Sequence, residues 1–199
     1  FIANLIENIS DEIYFNENRQ FFTEGTELFS KADLFYSRRV GGTPYYFDRV
    51  YEDLQTDERI DAIRGDSKLI NATKISGRSK GGTGLGFFNA VSPRDHATIE
   101  NLISGQKHDV LLQPWTNYNV MVIDQNLKNN SAIALVNTNV WREGQARDAN
   151  VTGLQIDLRD HKNIYGFYGS GSVSQKFEST GQDNGYRYSF GMERISGKW

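Results

Sequence analysis

Long runs of alternating apolar and polar residues constrain the fold of this chain more than any other feature. The clearest is Val151 to Asp160, where Thr152, Leu154, Ile156 and Leu158 fall on one side and Gly153, Gln155, Asp157 and Arg159 on the other. Tyr186 to Arg194 repeats it, with Tyr186, Tyr188, Phe190 and Met192 opposed to Arg187, Ser189, Gly191 and Glu193. Successive side chains of a strand point to opposite faces, so a period of two predicts strands with one apolar and one polar face. Strands are expected over residues 117–126, 131–141, 151–160, 163–175 and 184–194, with further extended segments from Lys68 onward. Lys80-Gly81-Gly82-Thr83-Gly84, Leu127-Lys128-Asn129-Asn130 and Asp160-His161-Lys162-Asn163 supply the Gly and Asn that tight turns need for positive φ. Longer connections are expected over 92–113 and 176–185. No helical pattern recurs between the runs, so the reading is an all-β antiparallel meander rather than a parallel α/β sheet.

Two physical states fit such strands: a soluble sheet with one face on a core and one in water, or a transmembrane barrel with apolar residues toward lipid. Strand length favours the barrel, because soluble strands average about 5–6 residues and membrane strands need about 9–11. Aromatics near run ends (Trp115, Tyr118, Trp141, Tyr165, Tyr186) match interfacial girdles. Mean hydropathy is −0.58, and no apolar run reaches the roughly 18 residues of a membrane helix. The net charge of −3 argues against nucleic acid as a partner, since phosphate recognition wants basic excess. With no cysteine there is neither a thiol nucleophile nor a disulfide framework.

Residues 1–66 break the alternation and read as an irregular, aromatic and Arg-rich segment, a plug or barrel entry, ahead of barrel-wall strands over 67–199. A short helix is expected around 53–63. Arg19, Phe21, Phe22, Glu24, Phe35, Tyr36, Arg38 and Arg39 are the candidate ligand-binding residues: rings for stacking, guanidinium groups for bidentate hydrogen bonds to anionic or sugar groups. The competing reading of the same block, and the favoured one, is structural, with the arginines pairing to Glu24, Glu27 and Asp33 inside a polar lumen.

No catalytic residue, metal site or cofactor is assigned. Carboxylate pairs such as Glu24 with Glu27, or Asp53, Asp57 and Glu58, lack any signature of controlled separation. His96, His108 and His161 lie apart, without zinc spacing. Gly82-Thr83-Gly84-Leu85-Gly86 and Gly169-Ser170-Gly171-Ser172 complete neither a phosphate loop nor a nucleophile elbow. The chain opens at Phe1 without a signal-like segment and reads as an interior piece of a longer protein.

The block Asn18-Arg19-Gln20-Phe21-Phe22-Thr23-Glu24-Gly25, continued by Leu34-Phe35-Tyr36-Ser37-Arg38-Arg39-Val40-Gly41, resembles a Bacteroidota family. Its members join an N-terminal domain like carbohydrate-binding family nine to a long C-terminal domain of unknown function. Ala72-Thr73-Lys74-Ile75-Ser76-Gly77-Arg78, Phe88-Asn89-Ala90-Val91 and Asn150-Val151-Thr152-Gly153 before Leu158-Arg159 extend the likeness in order. Where members often carry Arg-Pro before the paired phenylalanines, this chain has Arg19-Gln20. The resemblance implies part of an outer-membrane β-barrel located in the cell outer membrane. Its expected partners are the lipid bilayer and a glycan or other envelope proteins. It transfers no catalytic motif. The alternatives are a secreted or surface-associated β-rich polysaccharide-acting hydrolase or lectin, and a structural subunit of an envelope complex.

Overall fold

The computed structural model describes Phe21 and residues 26–196 of the 199. A short helix α1 (Thr26–Phe29) and 3-10 turns at Lys31–Asp33 and Ser37–Arg39 precede helix α2 (Phe47–Glu52). Ten strands follow: β1 (Glu58–Ala62), β2 (Asn71–Arg78), β3 (Thr83–Ser92), β4 (Asp95–Asn101), β5 (Lys107–Gln113), β6 (Thr116–Asn126), β7 (Ala132–Arg142), β8 (Asp148–Arg159), β9 (Tyr165–Glu178) and β10 (Gly181–Arg194). All pairings are antiparallel. The main sheet has seven strands in the order β10-β9-β8-β7-β6-β3-β2, and β1-β4-β5 form a second sheet. Among the described residues the main sheet is open, with β2 and β10 as its edges.

The alternating runs become β6 to β10, and their turns form for the expected reason. Asn129 and Asn130 both adopt positive φ (57° and 56°), the backbone twist that a tight hairpin between β6 and β7 requires. Three local expectations fail. Residues 53–63 are not helical: α2 ends at Glu52 and β1 forms instead. That strand is tied to β4 by Arg59–Glu100 (2.8 Å) and to β5 by Lys107–Asp61 (2.8 Å), contacts no local pattern reveals. The connection 92–113 contains β4 and β5. The stretch 176–185 is extended strand around a turn at Ser179-Thr180, with Gly181 opposite Glu178.

Residues 28–40 fill the inner face of the main sheet. Leu28, Phe29, Leu34 and Val40 are buried there against Phe88, Val120, Val122, Val136 and Val151. Sealing a side chain of this size from water contributes about 1.5–3 kcal/mol. Close approach depends on missing side chains in the wall: a Cβ on Gly153 would stand 2.5 Å from Leu34 Cδ1, and one on Gly84 2.7 Å from Leu28 Cδ2. The small sheet has its own core of Val50, Ala97, Ile99 and Leu112. Buried Gln113 joins the units, accepting from the Tyr45 amide (2.8 Å) and Ser67 Oγ (3.2 Å) while donating to Thr116 Oγ1 (2.8 Å).

Candidate functional site

The two faces of the main sheet differ in kind, and the outer one departs from what water favours. Register places Leu85, Ile123, Leu135, Leu154 and Tyr188 in line across the strands, with Gly171 between the last two. Neighbouring lines add Ile75, Phe87, Met121, Ile133, Ile156, Phe190, Leu158, Phe167 and Met192. Nearly all stay exposed, from 37 % at Ile133 to 82 % at Phe190. Soluble chains seldom leave apolar surface this extensive and contiguous uncovered.

One end of this band stops at a line of polar side chains. Thr73, Asn89, Asn119, Asn139, Asn150, Gln175 and Asn184 lie opposite one another from β2 to β10. Several are bonded to each other or to adjacent amides. Asn89 Nδ2 donates to Asn117 Oδ1 (2.6 Å) and Asn119 Oδ1 (2.8 Å), Asn137 Nδ2 to Asn150 Oδ1 (2.9 Å), and Asn150 Nδ2 to Gln175 Oε1 (3.1 Å). Mutual pairing lowers the cost of taking such amides out of water.

The inner face is mixed and partly charged. Asp124 has a fully buried side chain, pairs with Arg78 and stands 3.8 Å from Lys31 Nζ. Arg78 also holds Glu27 (2.8 Å) and donates to the Gly82 carbonyl (2.9 Å), so one guanidinium ties α1 to β2 and β6. Gln155 Oε1 accepts the Ala32 amide at 2.7 Å, fixing the turn where Ala32 and Asp33 take positive φ (57° and 51°). Gln155 thus faces inward while Leu154, Tyr188 and Phe190 are exposed on the opposite face, as the alternation predicts.

The profile of the family described as a domain of unknown function (DUF5916) matches residues 3–199. The chain belongs to that family. No curated protein and no solved structure matches it. The sequence reading of a domain of unknown function with an all-β, antiparallel fold therefore stands for this DUF5916 chain.

Of the residues selected from sequence, Arg19, Phe22 and Glu24 lie outside the described residues. Phe21 and Phe35 both approach the buried Phe88 ring, at 6.4 and 5.2 Å between centroids, and Phe35 lies 6.2 Å from Phe29. Lys74 Nζ sits 5.3 Å from the Phe21 ring centre. Tyr36 lies instead with Arg39, whose guanidinium carbon is 5.9 Å from its ring, and Arg38 shares the same 3-10 turn. Glu27 pairs with Arg78, a partner that sequence reasoning did not supply. Among the described residues no three His, Cys, Asp or Glu side chains converge as a metal site. No helix among them is long and apolar enough to cross a membrane, which bears on helices alone.

Sequence reasoning missed the amide line and a cleft at the same end of the sheet. Both depend on register and on residues far apart in the chain. The tryptophans of that cleft carried a signal, as aromatics at strand ends.

Proposed function

We propose that this DUF5916 chain forms part of the wall of an outer-membrane β-barrel, and that residues 26–40 line its interior. The assembled protein binds or passes a solute such as a glycan, without chemistry in this segment. The carrying observation is the apolar surface left exposed on the outer face of the main sheet. Large apolar side chains stand exposed on the outer face, whereas the inner face combines an apolar core packed against the N-terminal segment with charged groups such as Asp124 and Arg78. A wet lumen solvates groups such as Lys176 and Asp183, which pair at 3.7 Å, and Asp157 and Arg159, also at 3.7 Å.

Dimensions support the same reading. From Leu158 to Asn150, where the amide line crosses β8, the outer face advances by four two-residue steps. At about 3.4 Å per residue that is roughly 27 Å along the strand, or about 21 Å once tilted by about 40°. The apolar band of a transmembrane barrel is about 25 Å tall. The amide line then lies at one edge, where paired amides meet the headgroup boundary. Closure of the open sheet requires strands beyond β2 and β10.

The test is behaviour of the full chain in lipid and in buffer. Co-sedimentation with phospholipid vesicles and heat-modifiable mobility in detergent are expected. A stable, monodisperse protein in buffer without detergent would overturn the proposal.

A further inference from the structure

Beside the amide line, at the end of the main sheet that carries the second sheet, two tryptophans bound an open cleft of about 680 Å³. Its walls include Arg94, Trp115, Trp141, Arg142, Glu143 and Asp148, and its volume lies within the roughly 300–1,000 Å³ of small-ligand sites. Strand pairing fixes the tryptophans as diagonal neighbours. Trp141 faces Asn117 across β6 and β7, and the Glu143 amide bonds the Trp115 carbonyl at 2.9 Å. They are 63 % (Trp141) and 43 % (Trp115) exposed, so indole surface remains available to a ligand.

The charges of the cleft say which ligand suits it. Two cations, Arg94 and Arg142, balance two anions, Glu143 and Asp148, and the cations are engaged within the protein. Arg94 grips Glu143 through both carboxylate oxygens, with Nε at 2.7 Å from Oε2. Arg142 donates from Nη1 to the Arg147 carbonyl (2.6 Å) and lies 4.6 Å from the centre of the Tyr45 ring. Asp148 Oδ1 accepts the Arg142 amide at 2.6 Å. A phosphate or carboxylate ligand would have to break these pairs, and a purely apolar one would strand the polar rim. Indole faces, charge-paired carboxylates and nearby side-chain amides suit a neutral molecule with apolar C–H faces and a rim of hydroxyls.

We propose that the Trp115–Trp141 cleft binds a saccharide unit, one sugar face stacked on indole and its hydroxyls bonded to the Glu143 and Asp148 side chains. It deepens the membrane reading by giving the glycan a site, and rests on that reading only for the ligand's source. A free glycan and the sugar headgroup of a membrane glycolipid offer the same chemistry.

The experiment follows tryptophan emission of the full chain in a sugar-free detergent, with Trp199→Phe removing the third indole. It is titrated with hexasaccharides of glucose, mannose and xylose, and separately with phospholipid vesicles with and without lipopolysaccharide. A saturable emission change is expected, about tenfold or more weaker in Trp115→Ala and Trp141→Ala and indifferent to salt and excess inorganic phosphate. Response to a free hexasaccharide assigns a free glycan; response only to lipopolysaccharide vesicles assigns a headgroup. Silence in both arms, equal response in the alanine variants, or displacement by phosphate overturns the proposal. If an alanine variant misfolds, saturation-transfer NMR from the wild-type indoles to sugar protons decides. If the chain proves stable in buffer, the same titrations run there, so failure of the membrane reading and failure of the cleft are separate results.

Discussion

Leu135 offers a perturbation whose cost differs sharply between lipid and water. It sits on β7 between Ile123 of β6 and Leu154 of β8, near the middle of the apolar band. Its side of the sheet is unpacked in the isolated chain, where the residue is 44 % exposed. Leu135→Arg in water therefore removes little buried surface and falls within about 0.5 kcal/mol of neutral, as surface changes usually do. In a bilayer the guanidinium lies close to the midplane of a barrel wall, where arginine costs about 2–4 kcal/mol. Ser170→Arg, on the inner face of β9, is the control and should cost less than about 1 kcal/mol, because a wet lumen hydrates the new charge. Denaturant-dependent folding of the full chain into phospholipid vesicles measures both. A Leu135→Arg cost indistinguishable from that of Ser170→Arg would refute the reasoning about which face meets lipid.

Three further outcomes follow from the inner face and the turns. Gly153→Val drives side-chain atoms into Leu34, and by overpacking should cost about 1–3 kcal/mol and raise amide exchange across residues 31–40. Arg78→Ala leaves buried Asp124 with only the 3.8 Å contact to Lys31, so a loss of about 3 kcal/mol is expected; Asp124→Asn with Arg78→Met, made together, should recover part of it. Asp160 is held below the usual carboxylate range, chiefly by the Tyr165 amide and also by those of Lys162 and Ile164. A depressed carboxyl stabilises above its unfolded value of 3.8 and loses that contribution as pH falls through the folded one, so the protection factors of the β8–β9 turn amides, taken relative to their intrinsic exchange rates, should fall in acid, and Asp160→Asn should flatten that response.

How far the sequence carried depended on whether side chains or pairing hold each element. From β6 to β8 the strands announce themselves because apolar residues recur every second position and Asn or Gly marks the turns. The joined ends of β9 and β10 do not: Glu178-Ser179-Thr180-Gly181-Gln182-Asp183-Asn184 has no apolar alternation, and its extension rests on backbone pairing with the neighbouring strand. β1 does not read as a strand because Glu58, Arg59 and Asp61 carry no period of two, and its conformation is decided by β4. In the N-terminal block the aromatics were legible as packing residues, yet Leu28 and Leu34 find their seats only because Gly84 and Gly153 lie opposite them. The amide line is illegible by nature, since single Asn, Gln or Thr residues on seven strands become a feature only once register aligns them.

The absence of cysteine makes the central claim directly measurable by single-cysteine spin labelling. Labels placed one at a time from residue 150 to 158 along β8, in vesicles, report collision with oxygen, which concentrates in lipid, and with a water-soluble nickel chelate. Lipid contact predicts a period of two: oxygen collisions peak at positions 154, 156 and 158, while 155 and 157 favour the nickel chelate or stay shielded by the N-terminal segment. Nickel access at 154, 156 and 158 equal to that of a soluble loop would contradict a membrane-facing outer surface.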